Sequence, residues 1–257
     1  MLYFKYFKMH LKSALQYKTS FILSFLSQIL VVFSYYFTII CLFTKFSNIK
    51  GFSLYEVLFA FGIVQFGSSM AEIFARGFDE FDNLIIDGSF DKILLKPRGV
   101  YFQIFCEKIQ VVKFARLLQG VAIIIIALCK LNIEWSIYKI LTVIFMLISA
   151  VTIFTGLFIL AAAYCFVTIK GLETRNILTD GCKHMAQYPI GIFKKGIVFF
   201  LTFIVPFGFV NYYPLLYILG KVQNNIYMFS PLVTLLYLIP VILIFNKGIK
   251  KYASSGS

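Results

Sequence analysis

The chain has 257 residues, 60% of them hydrophobic and 14% charged, with a mean hydropathy of +0.88. That composition excludes an ordinary soluble domain, which would have to bury several apolar runs of near-spanning length in one small core. The formal net charge of +13 does not point to nucleic acid either, because the basic residues sit between apolar runs, where they set membrane orientation.

Residues 1–20 read as a basic amphipathic helix for the membrane surface, with Leu2, Tyr6, Met9 and Ala14 on one face and Lys5, Lys8, Lys12 and Lys18 around the rest. A cleaved signal peptide fits worse, since lysines run through the segment and no small-residue cleavage site follows the next apolar run. A first span is predicted over 21–43, and a second over 54–75 after a loop carrying Lys45, Lys50 and Gly51. The second span holds Gly62, Gly67, Ser68 and Ser69, which permit close helix contact. Glu72 stands one turn before Arg76 in the favourable acid-first order, predicting a membrane-edge ion pair.

The stretch 76–99 carries five of the eleven acids of the chain: Asp79, Glu80, Asp82, Asp87 and Asp91. A helical reading puts Phe78, Phe81, Leu84 and Ile85 on one face. Gly88 ends that helix, Ser89 caps a second one containing Phe90, Ile93 and Leu94, and Pro97 stops it. A bent amphipathic element is expected.

A third span is predicted over 114–128, with a preamble reaching back toward Tyr101. A loop with Trp135 follows, and then a long fourth span over 140–168. The polar stretch 169–195 holds Lys170, Arg175, Lys183, Lys194 and Lys195. A fifth span is expected to start near Gly196 and to be interrupted at Pro206 and Gly208, with 206–221 forming an inserted hairpin buried against protein, because lipid does not satisfy irregular backbone. A sixth span covers 230–245. Most of the 24 basic residues fall at the two termini and in the 76–116 and 169–195 segments. The charge bias therefore assigns these segments to the cytoplasm and the hairpin to the outside.

Little in the sequence points to catalytic chemistry. The five cysteines are scattered and imply no disulfide framework. Cys182 and His184 lack a second ligand pair, so no metal is expected. No His and acid face one another deep in the spans, which disfavours an enzyme or a proton-coupled carrier. The nearest phosphate-loop match, Gly191 to Gly196, continues with Ile197 and Val198 where Lys and Ser or Thr are needed, so no ATP site is expected in this chain.

Three motifs carry a family resemblance. They are Arg76-Gly77 followed by GSFDKILLKP (Gly88 to Pro97), Tyr188-Pro189 followed by IVPFGFVNYYPLLYILG (Ile204 to Gly220), and the basic tail ending Tyr252 to Gly256. With them the chain resembles the membrane permease subunit of a bacterial type-two ATP-binding-cassette exporter, of the small six-span kind. The resemblance implies an all-α membrane protein forming one permease domain over 1–257: a surface helix, six spans, a cytoplasmic coupling helix between spans two and three, and an extracellular re-entrant hairpin before span six. It implies an inner-membrane location with both termini cytoplasmic, a second permease as partner, and two separate ATPase subunits that bind ATP and magnesium. By the same analogy Arg76, Phe78, Phe81, Gly88, Phe90, Asp91, Leu94, Leu95 and Pro97 would meet the ATPase, with the acids of the stretch turned to it. Pro206, Tyr212, Tyr213 and Pro214 would form the outer gate. The alternative is a non-transporting membrane scaffold or sensor that docks a cytoplasmic partner.

Overall fold

The computed structural model describes residues 2–168, 176–188, 190–222 and 224–253. Lys170, Arg175, Pro189 and the last tail residues from Ser254 onward, all used in the sequence reading, lie outside them. Among the described residues the chain is helical, with no strand beyond an isolated bridge between Ile49 and Phe52.

Helix α1 (Leu2–Gln16) buries none of its residues. It is tied to the bundle by Tyr3 and Phe7, whose rings meet Phe102 and Phe114, and by His10, whose Nε2 lies 3.1 Å from the Cys106 carbonyl. The helix breaks at Tyr17. Helix α2 (Lys18–Lys45) follows on the periphery, where only Val32 and Ile39 are buried.

Helix α3 (Leu54–Phe74) is the centre of the molecule. A capping box opens it, Ser53 N–H donating to Glu56 Oε2 at 2.7 Å. It is apolar on all sides and buried from Glu56 almost to its end, as a helix enclosed by others must be. Helices α8 (Val111–Lys130) and α9 (Ile137–Cys165) lie along it. Gly67 makes the second approach possible, since a Cβ there would stand 2.4 Å from the Ala150 Cβ. Between α3 and α8 the chain forms the short helices α4 (Arg76–Asp79), α5 (Phe81–Ile86), α6 (Ser89–Leu95) and α7 (Val100–Glu107). Among the described residues five helices are long and apolar enough to cross a membrane, α2, α3, α8, α9 and α13 (Ile226–Lys251), and a bent pair of helices makes a sixth candidate if it counts as one span.

The segment after α9 departs from the sequence reading. A π-helical turn over Ile177–Gly181 runs into a helix labelled α10 (Cys182–Ala186). Asn176 and Asp180 share a small cavity with Arg76 and Glu72 at one end of α3. At the other end, Lys50 Nζ donates to the carbonyls of Gly191 and Ile192 at 2.9 and 3.2 Å. The described residues of 176–192 therefore run antiparallel to α3, from its Arg76 end to its Lys50 end, ahead of the Gly196 start expected from the sequence.

The apolar run expected to open that span is instead the first arm of a bent pair, α11 (Lys195–Ile204) and α12 (Gly208–Ile218), which meet at 88°. Both flanks of the pair sit at the Lys50 end, because Lys221 Nζ on the far side donates to the Gly51 carbonyl at 2.9 Å. Its tip reaches inward, where Phe207 packs on Phe154 at 5.3 Å. Lys195 lines a cavity with Lys50, and Lys183 is buried inside the bundle. Lys195 is thus away from the charged end to which the sequence reading assigned it, whereas Lys183 pairs with Glu72 near that end. Helix α1 and Tyr252 lie together at the Arg76 end, close to Phe74 and Phe90.

Candidate coupling element and the charge cluster beneath it

The element between α3 and α7 is built on local rules. Arg76 precedes Asp79 and Glu80 by three and four residues, so all three share one helical face. Its guanidinium pairs with Asp79, and Nε donates to Glu80 Oε1 at 2.8 Å. Glu80 also takes Lys108, at the end of α7. Burial disfavours the Glu80 charge, but hydrogen bonds from Lys108 and Arg76 overcome it and hold the carboxyl below its ordinary range. Helix α4 lies so close to α7 that a Cβ on Gly77 would stand 2.1 Å from the Ile104 carbonyl oxygen.

Gly88 separates α5 from α6 with φ +64, a left-handed conformation that glycine adopts without penalty. The bend folds the aromatic faces of the two helices together. Phe81 meets Phe90 at 4.9 Å and Phe166 at 5.2 Å, Phe90 meets Tyr252 at 5.0 Å, and Phe78 meets Phe105 at 4.9 Å and Phe245 at 5.6 Å. Phe78, Phe81 and Phe90 are fully buried, and Leu84 and Ile85 nearly so. These rings are internal, where the family analogy had them packing on the ATPase or the membrane edge. The reason is that the ends of α9 and α13 supply matching aromatic surfaces. The acids follow the same pattern: Asp79 and Asp82 are buried and Glu80 is turned to Arg76 and Lys108. Exposed on the element are Asn83, Ile86, Asp87, Lys92, Leu94, Leu95, Lys96, Pro97, Arg98 and Gly99, with Leu95 86% exposed. Its outer surface is thus apolar and mainly basic.

Beneath the element lies a charge cluster. Glu72, expected to pair with Arg76, is held instead by Lys113 at 2.8 Å, Lys183 at 3.0 Å and Arg116 at 3.3 Å. Arg76 has turned to the acids that follow it. The cluster joins α3, the start of α8 and α10. Lys113 and Arg116 were legible as neighbours on one helical face. Lys183 was not, since nothing in the sequence relates it to a carboxylate 111 residues earlier.

Of the predicted gate residues, Tyr212 and Tyr213 lie toward the Lys50 end, while Pro206 sits at the inward tip of the bent pair. Pro206 and Pro214 are buried. Tyr212 and Tyr213 lie 5.5 Å apart, Tyr212 reaching Phe52 at 6.1 Å and Tyr213 reaching Phe209 and Tyr227 at 5.4 and 5.6 Å. Asn211 Nδ2 donates to the carbonyls of Ala60 and Ala186, fixing the depth of the bent pair against α3 and α10. Lys221 Nζ completes the end by meeting Glu56 at 3.0 Å and lying 4.3 Å above the Phe52 ring.

No curated protein and no solved structure matches the chain. A family model described as ABC-2 family transporter protein matches residues 29–256, a range that takes in the charge cluster, the bent element and the bent pair. With five apolar membrane-length helices and that match over most of its length, the chain belongs to the ABC-2 transporter family, as a transmembrane component of an ABC transporter and not its ATP-binding unit.

Proposed function

We propose that the chain is the permease of an ATP-driven exporter, paired with a second permease and driven by two ATPase subunits that bind ATP and magnesium. The 76–99 element would receive the ATPase from the cytoplasm. The observation that carries this reading is the division of that element into an exposed tip, Leu94 to Arg98, and a buried aromatic seat on the ends of α9 and α13. A tip that only capped the bundle would have no reason to present Leu95 bare beside Lys92, Lys96 and Arg98. The exposed basic groups suit an acidic cleft on the partner, and Asp91 sits at the base of the tip. Tyr212, Tyr213, Pro206 and Pro214 form the outer gate in this reading, with both termini in the cytoplasm and the inner membrane as the location.

The test replaces Asp91 and Leu95 by alanine in membranes that hold the ATPase. Insertion is expected to be normal while ATP-driven export and ATPase copurification are lost. Export at the wild-type rate would sink the reading. A folded, abundant wild-type chain that never retains an ATPase would favour the scaffold instead.

A further inference from the structure

Two cavities meet at Val32, and they differ in chemistry. The first, of about 250 Å³, lies between α2, α3, α8 and α10 and is lined by Val31, Val32, Tyr35, Gln65, Arg116, Asp180, Lys183 and His184. The second, of about 180 Å³, runs on between α2 and α8 and is lined by Phe33, Tyr36, Ala122, Ile123 and Ile126 around Val32, with Gln119 at its polar edge. Phe33 and Ile126 are exposed at the rim of the second.

The charge balance of the first cavity identifies the kind of group it takes. Lys113, Arg116 and Lys183 share the single carboxylate of Glu72, and the other carboxylate at the cavity is Asp180. One positive charge is therefore left over among these described side chains. Arg116 also keeps its Nε buried with no hydrogen-bond acceptor among the described residues, and a buried guanidinium donor is costly until an acceptor arrives. The direction of the apolar groove completes the picture. Arg116 stands near the start of α8, at the Arg76 end, whereas Ile123 and Ile126 lie two to three turns farther along the same helix toward the bundle middle.

We infer that the paired cavities bind one anionic phosphodiester lipid, its headgroup on Arg116, Lys183 and His184 and an acyl chain over Val32 in the α2–α8 groove. A single negative charge balances the site, and a chain leaving toward the bundle middle is the orientation of a lipid in the leaflet at the Arg76 end. This inference goes beyond the transport reading and needs no ATPase to be tested.

The experiment counts bound lipid by native mass spectrometry of the purified full chain in detergent, titrated with dioleoylphosphatidylglycerol, dioleoylphosphatidylcholine or inorganic phosphate. The wild type is expected to hold the glycerol lipid about ten-fold tighter than the choline lipid, because both present the same phosphodiester oxygens but the choline cation is repelled by the surplus positive charge of the site. Arg116→Gln should abolish that preference. Because Arg116 also touches Glu72, Val31→Trp is the second variant: it fills the polar cavity, leaves the ion pairs alone and should lower occupancy by the glycerol lipid at least ten-fold. Equal binding of the two lipids to the wild type, or undiminished binding to folded Val31→Trp, overturns the proposal. So does competition by millimolar inorganic phosphate without any lipid preference, which would mark a free-anion site.

Discussion

Glu72→Gln tests the charge cluster directly. The glutamine keeps the shape and one acceptor oxygen but removes the carboxylate that Lys113, Arg116 and Lys183 share, at side-chain exposures of 15%, 15% and 8%. Removing one partner of a buried ion pair costs about 3–5 kcal/mol, because the charge left behind has lost its water as well as its partner. Three cations forced together put this variant toward the upper part of that range. At roughly 2–4 °C per kcal/mol for a chain of this size, about 4–5 kcal/mol lowers the midpoint of thermal unfolding by about 8–20 °C. The assay is a thermal melt of purified wild type, Glu72→Gln, Lys183→Gln and the double variant. A coupling of about 1–3 kcal/mol between the two sites is expected, with the double variant less damaged than the sum of the singles. A Glu72→Gln midpoint within about 2 °C of wild type would refute the account and mean that water, not protein, carries these charges.

Phe90→Ala should cost about 3–5 kcal/mol, since its ring is enclosed by Phe81, Phe166 and Tyr252. Leu95→Ala should change stability by less than about 0.5 kcal/mol, and the reverse order in a melt would place the partner surface on the wrong face. Gly77→Ala should cost at least about 2 kcal/mol, as the new methyl meets a backbone carbonyl that has no rotamer to yield; an unchanged melt would show that α4 and α7 separate freely. The lowered Glu80 carboxyl predicts an acid limb. Its contribution is complete above the ordinary carboxylate range, near pH 4.3, and is lost as pH falls through the depressed folded value. Lys108→Met should shrink that loss in a pH series of melts, and an identical acid limb in both proteins would remove Glu80 as its source.

What was legible in the sequence followed from local chemistry. Gly88 and Pro97 announced the bend and the stop of α6 because a positive φ and a missing N–H are properties of single residues. The small residues of α3 announced close contact for the same reason. The 176–192 pass was not legible, because Asp180, Lys183, His184 and Gln187 depress its hydropathy, and what makes such a segment tolerable is supplied by distant partners such as Glu72. The break of the run from Gly196 at Pro206 and Gly208 was legible, since proline and glycine interrupt a helix by themselves, but that the run forms the first arm of the bent pair was not. For the bent element, periodicity identified an apolar face and left open what covers it. The covering rings, Phe166, Phe245 and Tyr252, come from helices far along the chain.

That covering changes where a load on the element would go. From Leu95 inward, the path runs through α6 to Phe90 and then ring to ring across Phe81 and Phe166 to Phe245, with no flexible aliphatic layer between. Edge-on and tilted rings at 5–6 Å separation resist compression much as a strut does. The nearest compliant joint is Gly88, off to the side of that path. A thrust on the tip would therefore arrive first at the ends of α9 and α13, moving them as a pair, and reach α3 through the close packing of α9 at Gly67 and Ala150 and the ionic contacts around Glu72.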